Sequence, residues 1–268
     1  MSAIGSGVSV AKIQMTRRLF QMFFLVGTLV LLIKGLAGLT SKTVEYYCPM
    51  GGIVSIYGLF KKGQFICALN ETNLSIALAL LAGVLISRRS FCSWVCPLGT
   101  IFDWFVWLRR KLLGKDVLRI PDLPDAVLGK VKYVVLALIL ILTFRASELV
   151  FRGYDPFYIL FTGGRGHGLV PVLSLAILFA ILGLTFMFEM AWCRYLCPLG
   201  AVMSPLSRIG LLRIKRDRAR CTGCGACDAA CLQRIHVSSM SKVTSSDCTS
   251  CLDCIAQCPV DRALDLGL

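Results

Sequence analysis

Eight cysteines near the C-terminus fall in two identical runs, Cys221, Cys224, Cys227 and Cys231, then Cys248, Cys251, Cys254 and Cys258. Each run is spaced C-x2-C-x2-C-x3-C, and Pro259 follows the second. This duplication constrains the segment more than anything else in the chain. Three close thiolates wrap one face of an iron–sulfur cube, and the fourth cysteine reaches across to the other cube. The spacing therefore assigns Cys221, Cys224, Cys227 and Cys258 to one [4Fe–4S] cluster, and Cys248, Cys251, Cys254 and Cys231 to a second. Gly223 and Gly225 suit the sharp backbone such a loop demands. Structural zinc has no use for the third and fourth cysteine of each run, and disulfides do not persist in a reducing cytoplasm. Leu232 stands where proline commonly follows the fourth cysteine. The 48 residues from Cys221 to the end bury little core of their own, so the clusters serve as the core and the apo tail is expected to be disordered.

The rest of the chain is a different material. Hydrophobic residues make up 56% of 268 and charged residues 16%, with a mean hydropathy of +0.74. Four apolar segments, at about 19–39, 74–90, 127–146 and 169–191, read as membrane spans, for which about 20 helical residues are needed. An amphipathic stretch at about 100–113 carries Trp104, Trp107 and Arg109–Lys111 and reads as an interfacial helix. Lys and Arg are concentrated in two places: nine in 88–132 and six in 204–220, against three in each of the other two loops. The positive-inside rule then puts both termini and the cysteine-rich tail in the cytoplasm. In that setting the formal charge of +14 is headgroup-facing, and no nucleic-acid module accompanies it. Arg17-Arg18 before the first apolar run is read as its positive-inside anchor rather than as an export signal. The expected architecture is a membrane α-helical, four-transmembrane-helix bundle over residues 1–210. A bacterial two-[4Fe–4S] ferredoxin-like domain follows over 211–268.

Within the helical part, Phe91-Cys92-Ser93-Trp94-Val95-Cys96-Pro97-Leu98-Gly99 matches Trp192-Cys193-Arg194-Tyr195-Leu196-Cys197-Pro198-Leu199-Gly200. Tyr47-Cys48-Pro49 echoes Tyr154-Asp155-Pro156 more faintly, so the spans read as two helix pairs with a two-fold internal repeat. On a continuous helix, residues i and i+4 share a face. Cys92 with Cys96, and Cys193 with Cys197, would each offer two thiols in one direction. If the repeats face each other, four thiols meet. A third cluster or another metal, a redox-active dithiol, and small soft side chains packing helix ends all remain open. Cys48 and Cys67 lie on the opposite side, where a disulfide and independent partner-facing roles are alternatives. The two histidines, His167 and His236, fall on opposite sides of the membrane, which excludes a bis-histidine haem.

Two Cys-x3-Cys-Pro motifs after membrane helices, followed by the duplicated cysteine run, resemble the NapH-type membrane ferredoxins and the polyferredoxin parts of NosR-like proteins. The resemblance extends from about Arg17 to Pro259, and Cys48-Pro49-Met50-Gly51-Gly52 is similar to a Cys-Pro-x-Gly-Gly segment in a broad branch of that family. It implies a multi-pass protein of the cell's inner membrane that relays electrons between the quinone pool and redox partner subunits in a hetero-oligomeric complex. It further implies that Cys92, Cys96, Cys193 and Cys197 lie beside the quinone or lead toward it, with Arg88, Arg89, Glu189, Arg194 and Tyr195 as polar groups at that boundary. No catalytic triad, phosphate loop or flavin motif is present, so a complete catalytic site is not evident. A redox-sensing regulator or cofactor-assembly factor would use the same clusters. A transporter is disfavoured by the lack of a conspicuous buried charge set.

Overall fold

A computed structural model of the chain describes residues 10–37, 71–114, 122–146, 155–162 and 171–268. Cys48, Cys67 and His167 lie outside the described residues. The helical part comprises α1 (Val10–Leu36), α2 (Glu71–Ser87), α3 (Ser90–Trp94), α4 (Pro97–Leu113), α5 (Asp122–Ala146), α6 (Pro156–Thr162), α7 (Pro171–Met187), a π-helical turn (Trp192–Leu196) and α8 (Pro198–Ser207). The tail comprises β1 (Arg213–Arg216), α9 (Ala226–Ala230), a 3-10 turn (Val237–Ser239), α10 (Asp253–Ala256) and β2 (Leu264–Gly267). A helix thus lies along each apolar segment and the amphipathic stretch, ending at Ser87 in the second segment and at Met187 in the fourth. Between Lys12 and Gly35, α1 is long and apolar enough to cross a membrane. Leu74–Ser87 and Leu175–Met187 are shorter apolar helices.

Periodicity explains which faces turn inward. Along α4, Leu98, Phe102, Val106 and Arg109 are buried while Trp104, Trp107, Leu108 and Leu112 are exposed, the two faces of a 3.6-residue repeat. Pro97 starts that helix at N1, where its fixed φ and missing N–H cost nothing. Gly114 ends it at φ 80, a conformation glycine reaches without Cβ strain. α1 turns Arg17, Gln21 and Leu25 inward at four-residue intervals, and α2 turns Ala77, Leu80 and Val84. α1 packs on α4, α4 on α7, and α5 on α8 and the π-helical turn.

The tail closes through β1 and β2, which pair antiparallel from Arg213 opposite Gly267 to Arg216 opposite Leu264. Its small core joins Ile214, Ile235, Val237, Val243, Leu252 and Leu264 to Cys227, Cys248 and Cys254. Leu232 belongs to neither the tail's core nor its surface. It is buried with Leu98, Phe102, Val106, Ile139, Ile181 and Trp192 in the main core of the helical part. The departure from proline at this position thus has a physical reason: an apolar side chain plugs the tail into the helices. Leu232→Ala should open a cavity at this junction and cost about 2–5 kcal/mol, read as faster proteolysis of residues 208–220 in the full-length protein. Leu232→Met should stay within about 1.5 kcal/mol.

Candidate functional site

Two partly open pockets lie in the tail. One is lined by Cys221, Cys224, Cys227 and Cys258. The other is lined by Cys231, Cys248, Cys251 and Cys254. The structure therefore brings the eight cysteines together in the reciprocal groups that the spacing predicts, three from one run and one from the other. All twelve cysteines among the described residues are free of disulfides. No three His, Cys, Asp or Glu side chains among those residues converge closely enough for a single metal ion. Four soft thiol donors around each pocket, with no three placed for a single ion, fit an iron–sulfur cube rather than one tetrahedral ion.

The two runs share a backbone path. In the first, Gly223 and Gly225 take φ of 70 and 71. In the second, the equivalent positions are Ser250 and Leu252, at φ 49 and 64. Non-glycine residues pay about 1–2 kcal/mol each for the left-handed region, so the second loop is strained where the first is not. Alignment of the two runs carried the signal for this, since Ser250 and Leu252 stand where the glycines do.

Thiolate character is opposed by burial within both groups. Burial pushes Cys227 and Cys231 up to about 11, whereas a hydrogen bond with Arg216 lowers Cys221. Binding a metal cluster must displace protons from the raised thiols.

Outward-facing carbonyls of the second loop region are met by donors from the helical part. Arg88 donates to the carbonyls of Val243 and Ser245, Ser207 to that of Ser246, and Ser93 to that of Thr249. Trp94 Nε1 donates to the carbonyl of Ser250 at 3.1 Å, and Arg17 to that of Cys251 at 3.3 Å. Arg17 also pairs with Asp103 and Asp253. Arg89, fully buried, pairs with Asp247 at 2.8 Å, and Lys132 pairs with the same carboxylate. Burial works against the Asp247 carboxylate, but the charges of Arg89 and Lys132 outweigh it and hold its pKa below the usual range.

The C-x3-C-P segments differ in detail from two thiols on one continuous helix. Because a residue before proline is driven out of the α region, Cys96 sits at φ −67, ψ 116 and Cys197 at φ −65, ψ 115, each as the N-cap of the next helix. Both motifs close with the same wide turn: Cys96 N–H donates to Phe91 O at 2.9 Å and Cys197 N–H to Trp192 O at 2.8 Å. Gly99 and Gly200 follow for a steric reason. A Cβ at Gly99 would lie 2.1 Å from the Cys92 carbonyl oxygen, and one at Gly200 would lie 2.6 Å from an Arg89 nitrogen. Every pair among Cys92, Cys96, Cys193 and Cys197 is within electrostatic range, so the four thiols do gather. Arg89 stands among them, donating to the Cys193 carbonyl at 3.3 Å, with its buried Nε unpartnered.

Of the other sequence candidates, Arg88 and Arg89 are committed to the junction just described. Glu189 is buried and receives Arg109 and both arms of Arg110, fastening α4 to the end of α7. The Arg194 guanidinium lies 5.5 Å from the centre of the Tyr195 ring. Sequence reasoning gave Arg17 only an anchoring role and assigned no role to Ser93, Trp94, Lys132 and Asp247 individually, because their roles depend on long-range contacts, up to the 236 residues between Arg17 and Asp253.

A model of a 4Fe–4S binding domain matches this chain twice, at residues 69–116 and 170–218, once over each C-x3-C-P motif. A 4Fe–4S dicluster domain matches residues 213–259. The ferredoxin-type protein NapH of Escherichia coli K12 is 30% identical over 213 residues, which cover 72% of this chain and 70% of that protein. The chain belongs to the NapH-type ferredoxin family. An uncharacterized protein of Methanocaldococcus jannaschii, MJ0749, is 30% identical over 92% of the chain and 85% of its own length. The putative electron transport protein YccM of Escherichia coli is 30% identical over 84% of the chain, which spans only 64% of YccM. No solved structure matches. Its family models and relatives place this NapH-type chain among 4Fe–4S binding, ferredoxin-type proteins.

The reciprocal arrangement has a direct test. Cys258→Ser should extinguish the EPR signal of the same cluster as Cys221→Ser, with a loss of about four irons per chain. Cys231→Ser should instead act on the cluster lost in Cys251→Ser.

Proposed function

We propose that the chain is a multi-pass inner-membrane subunit that relays electrons between the quinone/quinol pool and a partner redox protein, with residues 1–210 in the membrane and 211–268 as a cytoplasmic two-cluster domain. The observation that carries the relay is the pair of pockets, each lined by four cysteines, one of them docked directly on the helices. Cys221, Cys224, Cys227 and Cys258 would hold one [4Fe–4S] cluster, and Cys231, Cys248, Cys251 and Cys254 the other. Such a cluster takes up and releases one electron at a time. The chain's own residues do the rest. Buried donors fix the second loop against the helices, and apolar residues of the tail keep water from Cys248 and Cys254.

The membrane reading is supported by what the helices leave uncovered. Leu19, Phe23, Val26, Val30 and Ile33 of α1 are exposed, as are Leu78 and Ile86 of α2, Val134, Leu138 and Ile141 of α5, and Val172 and Phe179 of α7. Apolar patches of that extent are rare on soluble monomers and mark lipid or partner contact. Helices α1, α2, α5 and α7 then cross, in two pairs of like design, and the basic segments after α2 and α8 hold the tail in the cytoplasm. Cys92, Cys96, Cys193 and Cys197 are proposed to hold a third cluster beneath the second, with Arg89 offsetting its charge.

Anaerobic preparation in detergent, iron and sulfide counting, and EPR after quinol addition test this reading. About twelve irons per chain are expected if the gathered thiols hold a cluster and about eight if they do not, with signals appearing on quinol addition in either case. A second reading, a redox-sensing regulator or assembly factor, is favoured by one relative, the regulatory protein NosR of Pseudomonas aeruginosa. NosR is 29% identical over 74% of this chain and 28% of its own length. Clusters that take no electrons from quinol in the presence of the partner subunit would favour that role.

A further inference from the structure

A cavity opens between α1, α4 and the tail, and the groups assigned so far do not account for it. It holds about 1630 Å3 of empty space, part of it open to the outside. Its apolar wall is made by Met22, Trp104, Val106, Trp107 and Leu108, of which all but Val106 are substantially exposed. Its opposite wall includes Ala230, Leu232 and Asp253, the immediate neighbours of Cys231 and Cys254. The polar part is formed by Gln14, Arg17, Gln21 and Asp103. Gln21 donates to Asp103 at 3.1 Å and to the Ser93 carbonyl at 2.9 Å, and the buried amide nitrogen of Gln14 has no partner.

We infer that this cavity is the seat of the quinone-class molecule, a flat ring with two oxygens and an apolar tail; the inference rests on the relay function proposed above. Three features select that ligand. Small-molecule sites are apolar clefts with a few convergent polar groups, and here Gln14, Gln21 and Asp103 line the cavity together with the indoles of Trp104 and Trp107. The positive charges at the polar end are already answered: Arg17 by Asp103 and Asp253, and Arg110 by Glu189. A neutral head group therefore fits better than a phosphate, although Arg18, exposed, also lines the cavity. The apolar tail has a way out along Met22, Phe23 and Val26, which are exposed on α1. A lipid would gain nothing from lying against the neighbours of Cys231 and Cys254, whereas a redox-active ring gains proximity to that cysteine group. None of Arg88, Arg89, Glu189, Arg194 and Tyr195 lines the cavity, so the site is distinct from the boundary that the family resemblance implies.

The test is photolabelling of the full-length protein in detergent with an azido-quinone, mapped by peptide mass spectrometry, alongside EPR after quinol addition. Labels are expected in residues 14–22 and 103–110, displaced by excess quinone and not by phospholipid. Met22→Trp and Leu108→Trp fill the cavity from partly exposed positions that carry no ion pair. Each should lower labelling about tenfold while the iron content stays at the wild-type level. Labels confined to other segments, with quinol still reducing the clusters, would overturn this site and leave the relay standing. Displacement by phospholipid as readily as by quinone would make the cavity a lipid seat. No labelling together with no reduction by quinol would sink both the site and the relay.

Discussion

The structure depends on buried side-chain donors that reach from the helices to the backbone of the second cysteine loop. A loop that wraps a cube turns N–H groups toward sulfide, which leaves carbonyls facing outward. Buried carbonyls without partners are costly. Here the carbonyls of Val243, Ser245, Ser246, Thr249, Ser250 and Cys251 are met by Arg88, Ser207, Ser93, Trp94 and Arg17. The same contacts hold Ser250 and Leu252 in left-handed conformations that neither residue prefers. Strain of this kind persists only where the surroundings over-determine it. The first loop uses Gly223 and Gly225 at those positions and needs no such clamp.

The clamp explains why so much charge is buried in so apolar a protein. Arg88, Arg89, Arg109 and Lys132 are almost completely enclosed. Each has a carboxylate or carbonyls to answer it, as a buried cation requires. Asp247, which precedes Cys248, takes both Arg89 and Lys132. It therefore links the gathered C-x3-C-P thiols, which surround Arg89, to the second cysteine group. Removing one member of this network leaves an uncompensated buried charge, a larger penalty than the pair's own contribution.

Function follows from the same placement. The second cysteine group lies against the helices and the first toward the exposed end of the tail, where Cys224 is exposed. One cysteine group thus lies beside the helices and the other at the exposed end of the tail, a placement that the proposed relay would use. The α1–α4 cavity adjoins the inner position, and Leu232 closes the junction between tail and helices by joining the core of the latter.

The sequence by itself determined the inventory. Cysteine spacing gave the two reciprocal cysteine groups that line the tail's pockets, because a cube needs three near thiolates and one far one whatever the surroundings. Apolar periodicity gave the long helices and the amphipathic α4, because each needs only a continuous local pattern. The match between 91–99 and 192–200 gave two like turns, and proline fixed the extended conformation of Cys96 and Cys197 locally. The tertiary structure decided what these pieces face. Arg17 and Asp253 meet across 236 residues of chain, and Leu232 enters a core built by α4, α5 and α7. No local pattern encodes such pairings. The candidate polar groups near the C-x3-C-P motifs were legible as charges beside membrane helices, but only packing could show that Arg88 and Arg89 clamp the tail. The cavity lined by Gln14, Asp103 and Trp107 exists because three separate segments of the chain stop short of one another, and a void between distant segments leaves no signature in the order of residues.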